Sequence, residues 1–90
     1  MKAIVTVLGK DRVGIIAAVC TLLSEHNINI LDISQTILQQ GYFTMVLLVD
    51  VSHCTDSFTE LAVELEDFGK AQALSVRIQR EDTFNAMHRV

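Results

Sequence analysis

Positive charge, cysteine and long apolar runs are all scarce in this sequence, and each shortage removes a class of function. Seven Lys and Arg stand against eleven Asp and Glu in 90 residues, a net charge of −4. Such a balance offers no general attraction for a phosphate backbone or an anionic lipid, so neither nucleic acid nor membrane is an expected partner. The only cysteines are Cys20, inside an apolar run, and Cys54, beside His53. They lack C-x-x-C spacing, and no secretion signal is recognisable, which makes the cytoplasm the expected compartment. The run from Ile15 to Cys20 falls far short of the ~20 apolar residues that cross a bilayer. Repeats, linkers and low-complexity segments are missing too, so residues 1–90 read as one soluble domain. Half of the residues are apolar, enough for a packed interior.

The apolar residues fall into two kinds of strand. "KAIVTVL", Lys2 to Leu8, and "YFTMVLLVDV", from Tyr42, are almost continuously apolar, as expected of central strands covered on both faces. "NILDISQTIL", Asn29 to Leu38, and "LSVRIQR", from Leu74, alternate instead, as half-buried strands do. Leu31, Ile33 and Ile37 share one face of the first, and Leu74, Val76 and Ile78 one face of the second. Gln39, Gln40 and Gly41 make a tight connection between the second and third strands.

Two helices are expected between the strands. Asp11 stands where an N-cap belongs, and Ile15, Ala18, Val19 and Leu22 follow at helical spacing up to His26. This helix is apolar almost all round, so something beyond its own sheet should cover it. Asn27 can take the left-handed conformation that stops it. Ser57 and Glu60 fit a capping box, and Phe58, Leu61, Leu65 and Phe68 form a stripe expected to end at Gly69. The order is βαββαβ. It predicts an α+β fold, a ferredoxin-like sandwich whose four-stranded antiparallel sheet has the order 4-1-3-2, with two helices on one face. The tail at 82–90 predicts a short helix with Phe84 and Met87 on one side, which would cover a sheet face or touch a partner.

The junction "LGKDRVGIIAAV" places glycines, an acid and two bases where the first strand gives way to the first helix. A helix N-terminus exposes unpaired N–H groups and favours an anion. Gly14 removes a side chain where a ligand would approach, and Asp11 and Arg12 complement the ammonium and carboxylate of a free amino acid. The plainer reading is a capping Asp11, a Gly14 that relieves crowding and an Arg12 that solvates a loop.

Catalytic chemistry has little to stand on. "HCTD", His53 to Asp56, reads as a polar turn with a capping Asp or Thr, and a metal site there would need His26 or His88 to converge on it. No catalytic residue, metal ligand or cofactor is expected. The βαββαβ order also underlies the RNA-recognition motif, and "GYFTMV" echoes its aromatic stretch. Yet the first strand lacks an aromatic platform, and Tyr42 and Phe43 point to opposite faces. A docking module acting without ligand is the other alternative.

The stretch from Gly9 to Asp50, "GKDRVGIIAAVCTLLSEHNINILDISQTILQQGYFTMVLLVD", resembles the ACT domain, most specifically in Asp11, Arg12, Gly14 and Ile15 followed by Asn27, Ile28, Asn29 and Ile30. The likeness extends to small bacterial ACT proteins related to glycine-cleavage regulators. It implies a non-catalytic regulatory module and a homodimer whose sheets join or stack. An amino acid or similar small metabolite would bind between the first loop of one subunit and the second strand of another. The site residues it implies are Asp11, Arg12, Val13, Gly14, Ile15, Asn27, Ile28 and Asn29, and the partner would be a target enzyme or regulator. The second strand, a long edge without Pro or Lys, is a natural seam for such pairing.

Overall fold

The computed structural model describes residues 1–82 and contains the expected elements in the expected order. They are β1 Lys2–Lys10, α1 Ile15–Glu25, β2 Asn29–Ile37, β3 Tyr42–Asp50, α2 Phe58–Ala71 and β4 Leu74–Arg80. All strand pairs are antiparallel, and the sheet order β2-β3-β1-β4 is the predicted 4-1-3-2 read from its other edge. The helix expected over the tail lies outside the described residues.

One face of the sheet carries the core. Ala3, Val5 and Val7 of β1 and Phe43, Met45, Leu47 and Val49 of β3 are buried with Val76 of β4. Above them lie Ile15, Val19 and Leu23 of α1, one residue per helical turn, and Leu61 and Leu65 of α2. Tyr42 is exposed and Phe43 buried, as their opposite orientation requires.

The expectation that β1 and β3 are covered on both faces holds for only one face among the described residues. Both crossovers carry their helices to the same side. The intervening residues Ile4, Val46 and Leu48 are only half-buried, and Leu8 is exposed. The half-buried reading of β2 also needs correction. Its pairing with β3 shifts between Ile30 and Asp32, and Ile33 and Ile37, opposite the buried Leu47 and Phe43, are 42% and 61% exposed. The helix layer barely reaches this edge, so the apolar side of β2 has no cover among the described residues.

Helix α2 begins with the predicted capping box. Ser57 accepts from the Glu60 N–H at 3.2 Å, and Glu60 Oε1 accepts from the Ser57 N–H at 3.4 Å. Ser57→Ala should therefore cost about 1 kcal/mol, read in calorimetry as a drop of roughly 4–8 °C in Tm.

The end of α2 differs from expectation. Gly69 does not stop the helix, which runs on to Ala71 before Ala73 turns left-handed at φ 58°. Gly69 is instead buried against β4, where an added Cβ would stand 2.8 Å from the Leu74 carbonyl oxygen and 3.1 Å from the Val76 nitrogen. Its missing side chain lets helix and strand touch.

Candidate functional site

The start of α1 is held by the sheet and left uncapped. The Asp11 N–H donates to the Gly41 carbonyl at 2.8 Å, fastening the loop to the β2–β3 turn. That bond keeps Asp11 at the sheet, so the predicted Asp11 cap gives way to Gly14, which is left-handed at φ 93° and supplies no side-chain cap. An L side chain there would cost about 1–2 kcal/mol in backbone strain. Crowding is not the reason for the glycine, because an added Cβ would meet nothing within 4 Å.

The first helical bond runs from the Ala18 N–H to the Gly14 carbonyl at 2.9 Å. The N–H groups of Ile15, Ile16 and Ala17 find no acceptor among the described residues, and no acidic side chain occupies the first turn. Ile15, Ile16 and Ala17 line a cleft of about 450 Å³ together with Asp11, Arg12 and Gly14, and Gln35, Ile37 and Phe43 form its other wall. Unpaired N–H groups at the positive end of a helix dipole suit an anionic guest, while Ile16, Ile37 and Phe43 suit an apolar side chain.

Arg12 has a structural task as well. Its Nη2 donates to Gln72 Oε1 at 2.8 Å and to the Gln72 carbonyl at 3.2 Å, which places the cation at the C-terminus of α2 where the dipole favours it. Both bonds use one nitrogen, and the remaining guanidinium donors are uncommitted among the described residues. The Asp11 carboxylate makes no hydrogen bond among the described residues, and Val13 is 98% exposed outside the cleft.

The other predicted residues lie at the far end of α1, whose 11 residues span about 16 Å. Asn27 is left-handed at φ 58°, as expected of a helix stop. Ile28 is buried and donates its N–H to the Leu23 carbonyl at 3.0 Å. Asn29 opens β2 and is exposed. With Ser24 and His53 these three line a second cleft of about 480 Å³. One chain therefore divides the predicted site between two clefts. Sequence reasoning missed Ile16, Ala17, Gln35, Ile37 and Phe43. The available signal was Gln35, a polar residue interrupting the apolar side of β2 between Ile33 and Ile37.

A separate polar cluster forms where α1 ends. His26 Nδ1 lies 2.9 Å from the Leu22 carbonyl, and Nε2 contacts Glu64 Oε2 and stands 3.7 Å from Asp56 Oδ2. Asp56 of the "HCTD" turn thus faces His26, and neither it nor Thr55 caps α2, whose cap is the predicted Ser57. The Leu22 carbonyl raises the His26 pKa above its ordinary 6.5, opposed by partial burial and aided by Glu64 and Asp56. A raised folded-state pKa adds stability that is complete below pH 6.5 and is lost as pH climbs through the folded value. In chelator, Tm should fall across that window, and His26→Gln should flatten the fall. Cys20 and Cys54 are both free thiols.

Among the described residues no helix is long and apolar enough to cross a membrane. Comparison with known proteins joins this architecture to a family. The ACT-domain family model matches residues 2–79. A UPF0237 protein of Clostridium acetobutylicum is 56% identical over the full length of both chains. The solved ACT domain protein from Streptococcus pneumoniae is 45% identical, with 98% of each chain covered and a TM-score of 0.83. A putative glycine cleavage system transcriptional repressor is alike in fold alone, at 24% identity and a TM-score of 0.71, with 87% of this chain and 44% of the other covered. By the extent of the family match and these identities, the chain belongs to the ACT-domain family of non-catalytic regulatory modules.

Proposed function

We propose that this single-domain cytoplasmic protein senses a free amino acid or similar small metabolite as a homodimer, and passes the signal to a target enzyme or regulator. The observation that carries the reading is the uncapped start of α1, whose free N–H groups open into a cleft with apolar walls. A carboxylate would accept from those N–H groups, Asp11 would receive the ammonium, and the side chain would lie against Ile16, Ile37 and Phe43.

A second copy brings the two halves of the site together. Among the described residues the outer edge of β2 is unpaired and carries Ile33 and Ile37 exposed. Two-fold antiparallel pairing of β2 with its copy lays the Asn29 end of one strand beside the Ile37 end of the other. Asn29 of the second copy then approaches the cleft of the first, where its amide can both donate and accept. The same joint sits beside the outward residues Ile16 and Ala17 of α1.

Sedimentation at micromolar concentration should find a species of twice the 10.0 kDa chain mass. A thermal-shift screen over the free amino acids tests the ligand, since a guest that binds only the folded state raises Tm by mass action. Asn29→Ala should erase the shift while keeping the basal Tm. A dimer that responds to no amino acid would turn the reading into a docking module, and a clean monomer would remove the joint site.

A further inference from the structure

We propose that His26, Asp56 and Glu64 form a binding site for a divalent transition-metal ion, with zinc as the occupant their chemistry favours. The three side chains come from three separate parts of the fold: the end of α1, the loop before α2, and the second turn of α2. One ligand atom from each, His26 Nε2 and a single oxygen of each carboxylate, lies within 4.8 Å of the other two. Ligands bound to zinc at about 2.0–2.2 Å in a tetrahedron stand roughly 3.3–3.6 Å apart. His26 Nε2 and Asp56 Oδ2 already stand at 3.7 Å. Glu64, which contacts Nε2 directly, need only swing its half-exposed side chain outward to admit the ion.

The donor chemistry is matched to the ion. A neutral imidazole and two carboxylates cancel the charge of a dication, and no Lys or Arg among the described residues pairs with either acid. An imidazole in a set of only three protein ligands suits zinc and disfavours magnesium and calcium, which take all-oxygen shells. A bond from His26 Nδ1–H to the Leu22 carbonyl orients the ring, and in the neutral imidazole it leaves the lone pair on Nε2, where an ion would take the place of the proton shared with Glu64. A bound ion would tie α1 to α2 and secure His26, three residues before β2 begins at Asn29.

The test uses the full chain, stripped with chelator, at pH 7.5. Calorimetric titration with ZnCl2 should show one ion per chain with Kd below about 10 µM, with a parallel rise in Tm and no response to MgCl2. His26→Gln and Glu64→Gln should each weaken binding at least tenfold. Asp56→Asn, in a loop, is a second route should the helical variants lose their fold by circular dichroism. His53→Ala and Cys54→Ser should bind as the parent does. No saturable zinc binding at 100 µM, or equal binding by the His26→Gln/Glu64→Gln double variant, overturns the site. The titration needs neither an amino acid nor the dimer, so its outcome is independent of the sensor reading.

Discussion

Gly69→Val should lower stability by about 3 kcal/mol, a Tm drop of roughly 12–24 °C for a domain of this size. In an exposed helix, replacing glycine by a residue with a side chain is usually neutral or favourable, because glycine is the poorer helix former by nearly 1 kcal/mol. Position 69 reverses that sign because the atoms in the way are backbone. The Leu74 carbonyl at 2.8 Å and the Val76 nitrogen at 3.1 Å belong to β4 itself and cannot rotate aside. Accommodating even one methyl means moving helix from strand, and β4 is paired with β1 along Ala3 to Gly9. Gly69→Ala should therefore also destabilise, by about 1–2 kcal/mol. Chemical denaturation of the two variants checks both values, and a stabilised Gly69→Ala would mean that helix and strand do not touch there.

Leu65→Ala is the second large effect, a loss of about 3 kcal/mol from the removed apolar atoms and the cavity they leave. Leu65 is 1% exposed and belongs to the same core cluster as Val5, Leu47 and Val76. Its neighbour on the same helix provides the control. Val63 is 55% exposed, so Val63→Ala should change stability by no more than about 0.5 kcal/mol. Urea denaturation of the pair separates burial from helix propensity, since both substitutions end in alanine. Comparable losses in both would contradict the assignment of faces on α2.

What could be read from the sequence follows the range of each interaction. The continuous apolar runs of β1 and β3 and the alternation of β4 are local patterns, and they placed the strands in their order. Ser57 with Glu60, and Asn27 after α1, are local signals as well, and both act as their residue types suggest. Glycine is ambiguous at this level. Gly14 is the cap of a helix start because β1 extends to Lys10 and Asp11 bonds to Gly41, a contact across the β2–β3 turn. Gly69 sits inside α2 because β4 passes against it, although the same letter at the end of an apolar stripe reads as a stop.

The site divides in the same way. Asp11, Arg12, Gly14 and Ile15 are contiguous and were legible as one wall of a cleft. The opposite wall, with Gln35, Ile37 and Phe43, depends on how β2 pairs with β3 and on where the helix layer ends. Arg12 meets Gln72 across 60 residues, and His26 meets Glu64 across 38. Neither pair has a spacing that periodicity can reveal. The exposed apolar side of β2 is legible only in part: its alternation marks a face to be buried, while no covering layer stands over it among the described residues.

In the proposed complex the bare N–H groups of Ile15, Ile16 and Ala17 receive the carboxylate of a small metabolite. The most direct measurement is a two-dimensional amide NMR titration of the protein with free amino acids, ranked by the thermal-shift screen. Binding at the start of α1 should give saturable downfield shifts of these three amide protons, with Asn29 responding at the same concentration. Three resonances that stay in place at about 10 mM of every amino acid, a concentration at which even millimolar binders are mostly bound, would contradict it.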